Sequence, residues 1–196
     1  MTKTRLEAFS DGVLAIIITI MVLELKTPHD TTWESIKHLI PVFVSYLLSF
    51  IIIGIYWGNH HHLVHTIGHV TSGIIWANLH LLFWLSLIPF ATAWMGENNF
   101  EDVTVASYAL LMTLCGLAYF ILLRVIVKEH SHNPQLQVPL KRQSKKGTIS
   151  VITYAAAIPA AFIHPAISGT LFLLVGVLWW IPDKGIERSI ETHEKQ

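Results

Sequence analysis

The chain has 196 residues, of which 53% are hydrophobic and 13% charged, with a formal charge of zero at neutral pH. A soluble domain carries about 25% charged residues, so the low charge and a mean hydropathy of +0.53 exclude that class and leave an integral membrane protein. One cysteine, Cys115, excludes an intrachain disulfide or thiolate metal site, and the basic cluster Lys141 to Lys146 lacks the flanking aromatics of a nucleic-acid surface.

The first apolar run is residues 5–25, RLEAFSDGVLAIIITIMVLEL. A signal peptide should end at a small-residue cleavage site and keep acids out of its basic leader. This run ends in Leu23-Glu24-Leu25-Lys26 and holds Glu7 and Asp11, so it reads as a retained helix. At about 100° per residue, Arg5, Phe9, Gly12, Val13, Ile16, Thr19, Ile20 and Leu23 share one stripe, and Glu7, Ser10 and Asp11 fall roughly opposite. A carboxylate costs about 2.5–3.5 kcal/mol at the centre of a spanning helix, less towards its end, and is normally turned to a partner. The Ser10-Asp11 side is therefore expected to face the bundle. The Ile16/Thr19/Ile20/Leu23 stripe then faces lipid, a second bundle surface or an axis.

Spans need about 20 apolar residues, and five further runs approach that length: about 36–57, 73–95, 103–127, 148–165 and 167–182. The last two are short, are separated by the His164-Pro165 turn and suit a helical hairpin. Connections are brief except 128–147, a polar stretch with Pro134 and Pro139 that reads as a surface loop. No internal repeat or soluble domain is visible, so residues 1–196 form one six-span unit. Pro41 lies near the start of its helix, whereas Pro89 and Pro159 lie inside theirs and should bend them. Gly54, Gly58 and the alanines of 155–161 are suited to close helix approach.

With the N-terminus in the cytoplasm, the inner segments collect eleven Lys and Arg residues and the outer ones only Lys26 and Lys37. That bias predicts cytoplasmic termini in a multi-pass protein of the cell membrane. It also brings the end of span two, with Trp57, Asn59, His60 and His61, to the depth of Arg5, Ser10 and Asp11. Asn78 and His80 of span three join them there. A network of Arg5, Asp11, Asn59, His60 or His61, and Asn78 or His80 is expected, because buried charges persist where they are paired and hydrogen-bonded. The histidines also admit proton sensing, or metal or haem binding, with His61 and His65 four apart on a helix. Ser10 and Asp11 diverge by about 100° and cannot serve one histidine in a triad, and no Gly-x-Ser-x-Gly or HExxH motif occurs, so an enzyme is not expected.

Arg5-x-x-x-Phe9-Ser10-Asp11-Gly12, at the start of the first of six spans, resembles the signature of the transmembrane protein 175 family. These are lysosomal potassium channels in animals, with shorter prokaryotic relatives. The Trp57-x-Asn59-His60-His61 end of span two and the Asn78/His80/Trp84 pattern of span three are similar to that family too. The resemblance covers essentially the whole chain. Animal members carry two six-helix repeats and this chain has room for one, so the resemblance implies a homotetramer around a central pore lined by the first helix. It implies a constriction at Ile16, Ile20 and Leu23, a hydroxyl layer for potassium preference at Thr19, and bracing of the first helix by Arg5 and Asp11. Potassium is then the permeant ion, and no cofactor is called for. There is no TVGYG filter and no Arg-rich voltage-sensing helix, so modest selectivity and weak voltage dependence are expected. The competing class is a histidine-rich helical membrane protein that binds a metal or haem for redox or sensing. A secondary transporter is disfavoured, since no pair of broken helices in corresponding halves is visible.

Overall fold

The computed structural model describes residues 1–28, 30–129 and 134–180, and these are all helix and connections. The helices are α1 (Lys3–Leu23), α2 (Trp33–Lys37), α3 (Ile40–His65), α4 (Ser72–Leu85), α5 (Ile88–Glu97), α6 (Asp102–Glu129), α7 (Pro134–Ala161) and α8 (Pro165–Trp180). Among the described residues four stretches are long and apolar enough to cross a membrane: α1, α2–α3, α4–α5 and α6. α8 is apolar but shorter.

Proline sets several of the boundaries. Pro41 occupies the first turn of α3, where its missing N–H leaves no gap in the ladder. Pro89 does more than bend its span. It cannot donate to the Leu85 carbonyl, so the run divides at Ser86-Leu87 into α4 and α5, with Pro89 in the first turn of the second piece.

The stretch 128–147 is not the surface loop expected from its polarity. α6 continues to Glu129 and α7 begins at Pro134. Proline opens a helix as readily as it ends one, and here Pro134 opens a helix whose first half is basic and whose second half is apolar. The fifth apolar run, read as 148–165, is thus the second half of α7 and stops at Ala161. The turn at 162–164 then leads into α8, and residues 181 and 182 of the sixth run lie outside the described residues.

α6 is the centre of the helical bundle. Tyr108, Met112, Cys115, Ala118, Leu122 and Ile126 are all fully buried along it, and it packs on α4, α5, α7 and α8. α1 lies to one side, against α3, α4 and α5. A hydroxyl cluster pins the middle of the bundle: Thr92 donates to Ser49 Oγ at 2.7 Å, and Ser49 and Tyr108 share a 2.8 Å bond. Inside a membrane no water satisfies such groups, so α3, α5 and α6 must meet in this register.

The close approaches use glycines other than those expected. A Cβ on Gly96 would lie 2.4 Å from Ser45 Oγ and 2.7 Å from Val42 Cα, so only glycine lets α5 lie on α3. On Gly116 it would meet Val151 of α7 at 3.1 Å. Gly54 and Gly58 have no neighbour within that range and do not mediate packing inside the bundle. Of the alanines, Ala157, Ala160 and Ala161 are buried and Ala155 and Ala156 exposed. Ser168 donates to the Ala157 carbonyl at 2.7 Å and ties α8 to α7 as a hairpin.

Candidate functional site

α1 has two unlike faces. Leu6, Ser10, Leu14, Ile17 and Met21 recur at three- and four-residue steps and are buried against the bundle. Phe9, Ile16, Ile20 and Leu23 are 51%, 58%, 41% and 79% exposed, and Arg5, Gly12 and Thr19 share their exposed side. Thr19 donates its hydroxyl proton to the Ile16 carbonyl at 2.9 Å, which leaves the lone pairs of its oxygen turned outward.

The seam between α1 and α3 has a regular register. Lys3 Nζ donates to the His65 carbonyl at 3.1 Å, His61 Nδ1 and Glu7 Oε1 are 2.8 Å apart, and Trp57 Nε1 donates to Asp11 Oδ1 at 2.9 Å. Each step advances four residues along α1 and retreats four along α3, as two antiparallel helices in one ridge-and-groove register require. The Lys3 contact also places a cation on an end carbonyl of α3, where the helix dipole favours it.

A second line of bonds crosses the bundle beneath that seam. His60 Nε2 lies 2.7 Å from Asn78 Oδ1, Asn78 Nδ2 donates to Ser10 Oγ at 2.9 Å, and Ser10 donates to the Leu6 carbonyl at 2.8 Å. An amide oxygen only accepts, so His60 carries its proton on Nε2. The order of donation then runs from α3 through α4 into α1. His60, Asn78 and Ser10 are buried, and His60 Nδ1 has no bonding partner.

The remaining polar residues stand apart from this line. Asn59 donates to the Ile55 carbonyl of its own helix and its carbonyl accepts from Tyr119, which in turn accepts from Gln143. His80 accepts from Trp84 one turn along α4. The Arg5 guanidinium is exposed and forms no hydrogen bond or ion pair among the described residues. The pairings of Lys3 and Glu7 were missed from sequence, although Glu7/Asp11 and Trp57/His61 carry matching four-residue spacings that signal them. His61 and His65 have ring centroids 5.9 Å apart, but no group of three metal-ligating side chains is assembled among the described residues.

A sequence model of the family described as "Endosomal/lysosomal potassium channel TMEM175" matches residues 5–89, from α1 into α5. A curated potassium channel from Chryseobacterium sp. (strain P1-3) is 49% identical over 193 residues, covering 98% of this chain and 100% of its own. The chain belongs to the TMEM175 family. A potassium channel from Streptomyces collinus is 31% identical to this TMEM175 member and covers 81% of it and 82% of itself. The crystal structure of a TMEM175 homologue from Chamaesiphon minutus, described as a lysosomal potassium-selective channel, superposes with a TM-score of 0.78 at 26% identity. It covers 90% of this chain and 95% of its own. These relatives are channels rather than enzymes.

Proposed function

We propose that the protein is a potassium-permeable cation channel of the cell membrane, in which four copies surround a pore lined by α1. The observation that carries this reading is the exposed stripe on α1. Its other face is fully committed to the bundle, and the stripe mixes large apolar side chains with a hydroxyl. Around a four-fold axis Ile16, Ile20 and Leu23 form apolar rings, and Thr19 adds oxygens that accept but do not donate. Water and ions leave a narrow apolar tube, so the closed pore is dry, and opening requires α1 to tilt or rotate until the rings widen. The Thr19 oxygens offer partial negative charge where a cation sheds part of its hydration. Arg5, on the same exposed side, is then available to a neighbouring subunit.

Six spans, both termini cytoplasmic, complete the proposal, with α8 and the apolar half of α7 as the last two. The Lys and Arg asymmetry supports that orientation. The test is potassium and sodium flux through purified protein in liposomes, with Ile16→Asn beside the wild type. Potassium-preferring flux that rises about tenfold or more in the variant is expected, since a polar ring wets the constriction. Equal, unchanged flux from both proteins would remove Ile16 from the narrow point.

A further inference from the structure

α3 and α8 diverge along much of their length and leave an open groove between them. One part, of about 850 Å³, is bounded by apolar side chains such as Leu47, Ile51, Phe172 and Leu173. It continues, past the shared Ile51, Ile55 and Trp180, into a part of about 350 Å³ that ends at Asn59, His62, Trp179 and Trp180. From Val44 to His62 the groove runs about 27 Å along α3, nearly the thickness of the hydrocarbon layer.

The two ends differ in chemistry. The Val44 end is lined by Phe100, which is held with φ 61° in the left-handed region at the α5–α6 turn. The His62 end carries paired tryptophans, typical of the level of lipid headgroups. Beside it, Lys146 of α7 lies 5.9 Å from the centre of the Trp179 ring. Arg142, exposed and one turn before Lys146, shares that face of α7, and exposed Lys145 lies on the adjoining face, about 100° round the helix from Lys146.

We infer that this groove is a binding site for an anionic phospholipid, with an acyl chain along the α3–α8 cleft and the phosphate beside Arg142, Lys145 and Lys146. The profile of the cleft, apolar for most of its length and basic at one aromatic end, is that of such a lipid. Among the described residues a second copy of the chain is a poorer match. Glu7 and Asp11, the described acidic side chains at this end, are already engaged by His61 and Trp57, and Glu24, Asp30, Glu34, Glu97, Glu101 and Asp102 are at the other. Basic pockets between spanning helices hold acidic headgroups for the same electrostatic reason. The inference rests on membrane embedding alone and not on ion permeation.

Native mass spectrometry of the full-length protein tests it, with phosphatidylglycerol or phosphatidylcholine added in mild detergent. Phosphatidylglycerol should be retained in preference by on the order of tenfold. The triple variant Arg142→Gln, Lys145→Gln, Lys146→Gln should reduce that preference to about one. Gly169→Leu should remove retention of both lipids, and Gly54→Leu serves as a second filling variant, because a Cβ at either glycine meets nothing within 4 Å. Circular dichroism establishes that each variant is folded. Equal retention of the two lipids, or retention indifferent to both filling variants, would overturn the inference. So would loss of the oligomer in the filling variants, read from the same spectra, which would make the cleft a seam between copies. Flux plays no part in these readings, so a failed channel assay and a failed lipid assay are distinguishable.

Discussion

Asn78 does the work of two side chains in the line from His60 to Ser10, accepting from one and donating to the other. Replacing it by leucine keeps the branched shape, adds bulk in an enclosed site, and removes the bonds made by His60 Nε2 and accepted by Ser10 Oγ, both fully enclosed. Each unsatisfied buried group costs about 1–3 kcal/mol. Asn78→Leu should therefore lower the melting midpoint in detergent markedly, as followed by near-ultraviolet circular dichroism. Trp57→Phe loses only a bond at a half-exposed indole and should cost about 0.5–1.5 kcal/mol. Similar losses in the two variants would mean that the buried line does not hold α4 to α1. Thr19 belongs to a different class, since its bond is within its own helix. Thr19→Val should leave stability nearly unchanged and shrink the potassium-to-sodium flux ratio, and an unaltered ratio would move discrimination elsewhere in the pore.

Among the elements, α5 depends on contact at a single glycine. Any Cβ on Gly96 meets backbone, not a movable side-chain tip, at Val42. Gly96→Ala should cost about 1–3 kcal/mol as overpacking, despite the gain in helix propensity. Gly54→Ala is the matched control: nothing opposes it, and thermal melts should show it neutral or slightly stabilising. The same contrast explains why glycine spacing misled. A small-x-x-x-small pattern permits close approach but does not say which helix comes close, and the Gly54/Gly58 pair opens onto the α3–α8 groove instead. α7 shows a related limit. Its polar first half and two prolines read as a loop, yet Pro134 sits where a helix starts, and helical continuity past Lys146 places Arg142 over the same face.

For the whole molecule, the bundle is built around α6 while the most motif-rich helix, α1, lies at the side. A flank position suits a helix whose second face is completed by symmetry. Leu23→Cys tests this directly, because native Cys115 is fully buried and gives little background. Oxidation in membranes should join subunits through residue 23, giving dimers on non-reducing gels; only monomers would place Leu23 away from the axis.

Membrane embedding, the all-helical class and the two faces of α1 were determined by the sequence alone. They follow from composition and a 3.6-residue period, which are local properties. The FSDG stretch and the polar ends of spans two and three were legible as a group because the Lys and Arg bias sets all three at one membrane depth. Which of those groups actually bond was decided by the tertiary structure. The antiparallel register of α1 on α3 selects Lys3, Glu7 and Asp11 for His65, His61 and Trp57, and passes over Arg5. The break at Pro89, the glycine contact at Gly96 and the open cleft between α3 and α8 likewise depend on how far apart helices settle. That distance is set by side chains from both partners at once, and no single stretch of chain carries the information.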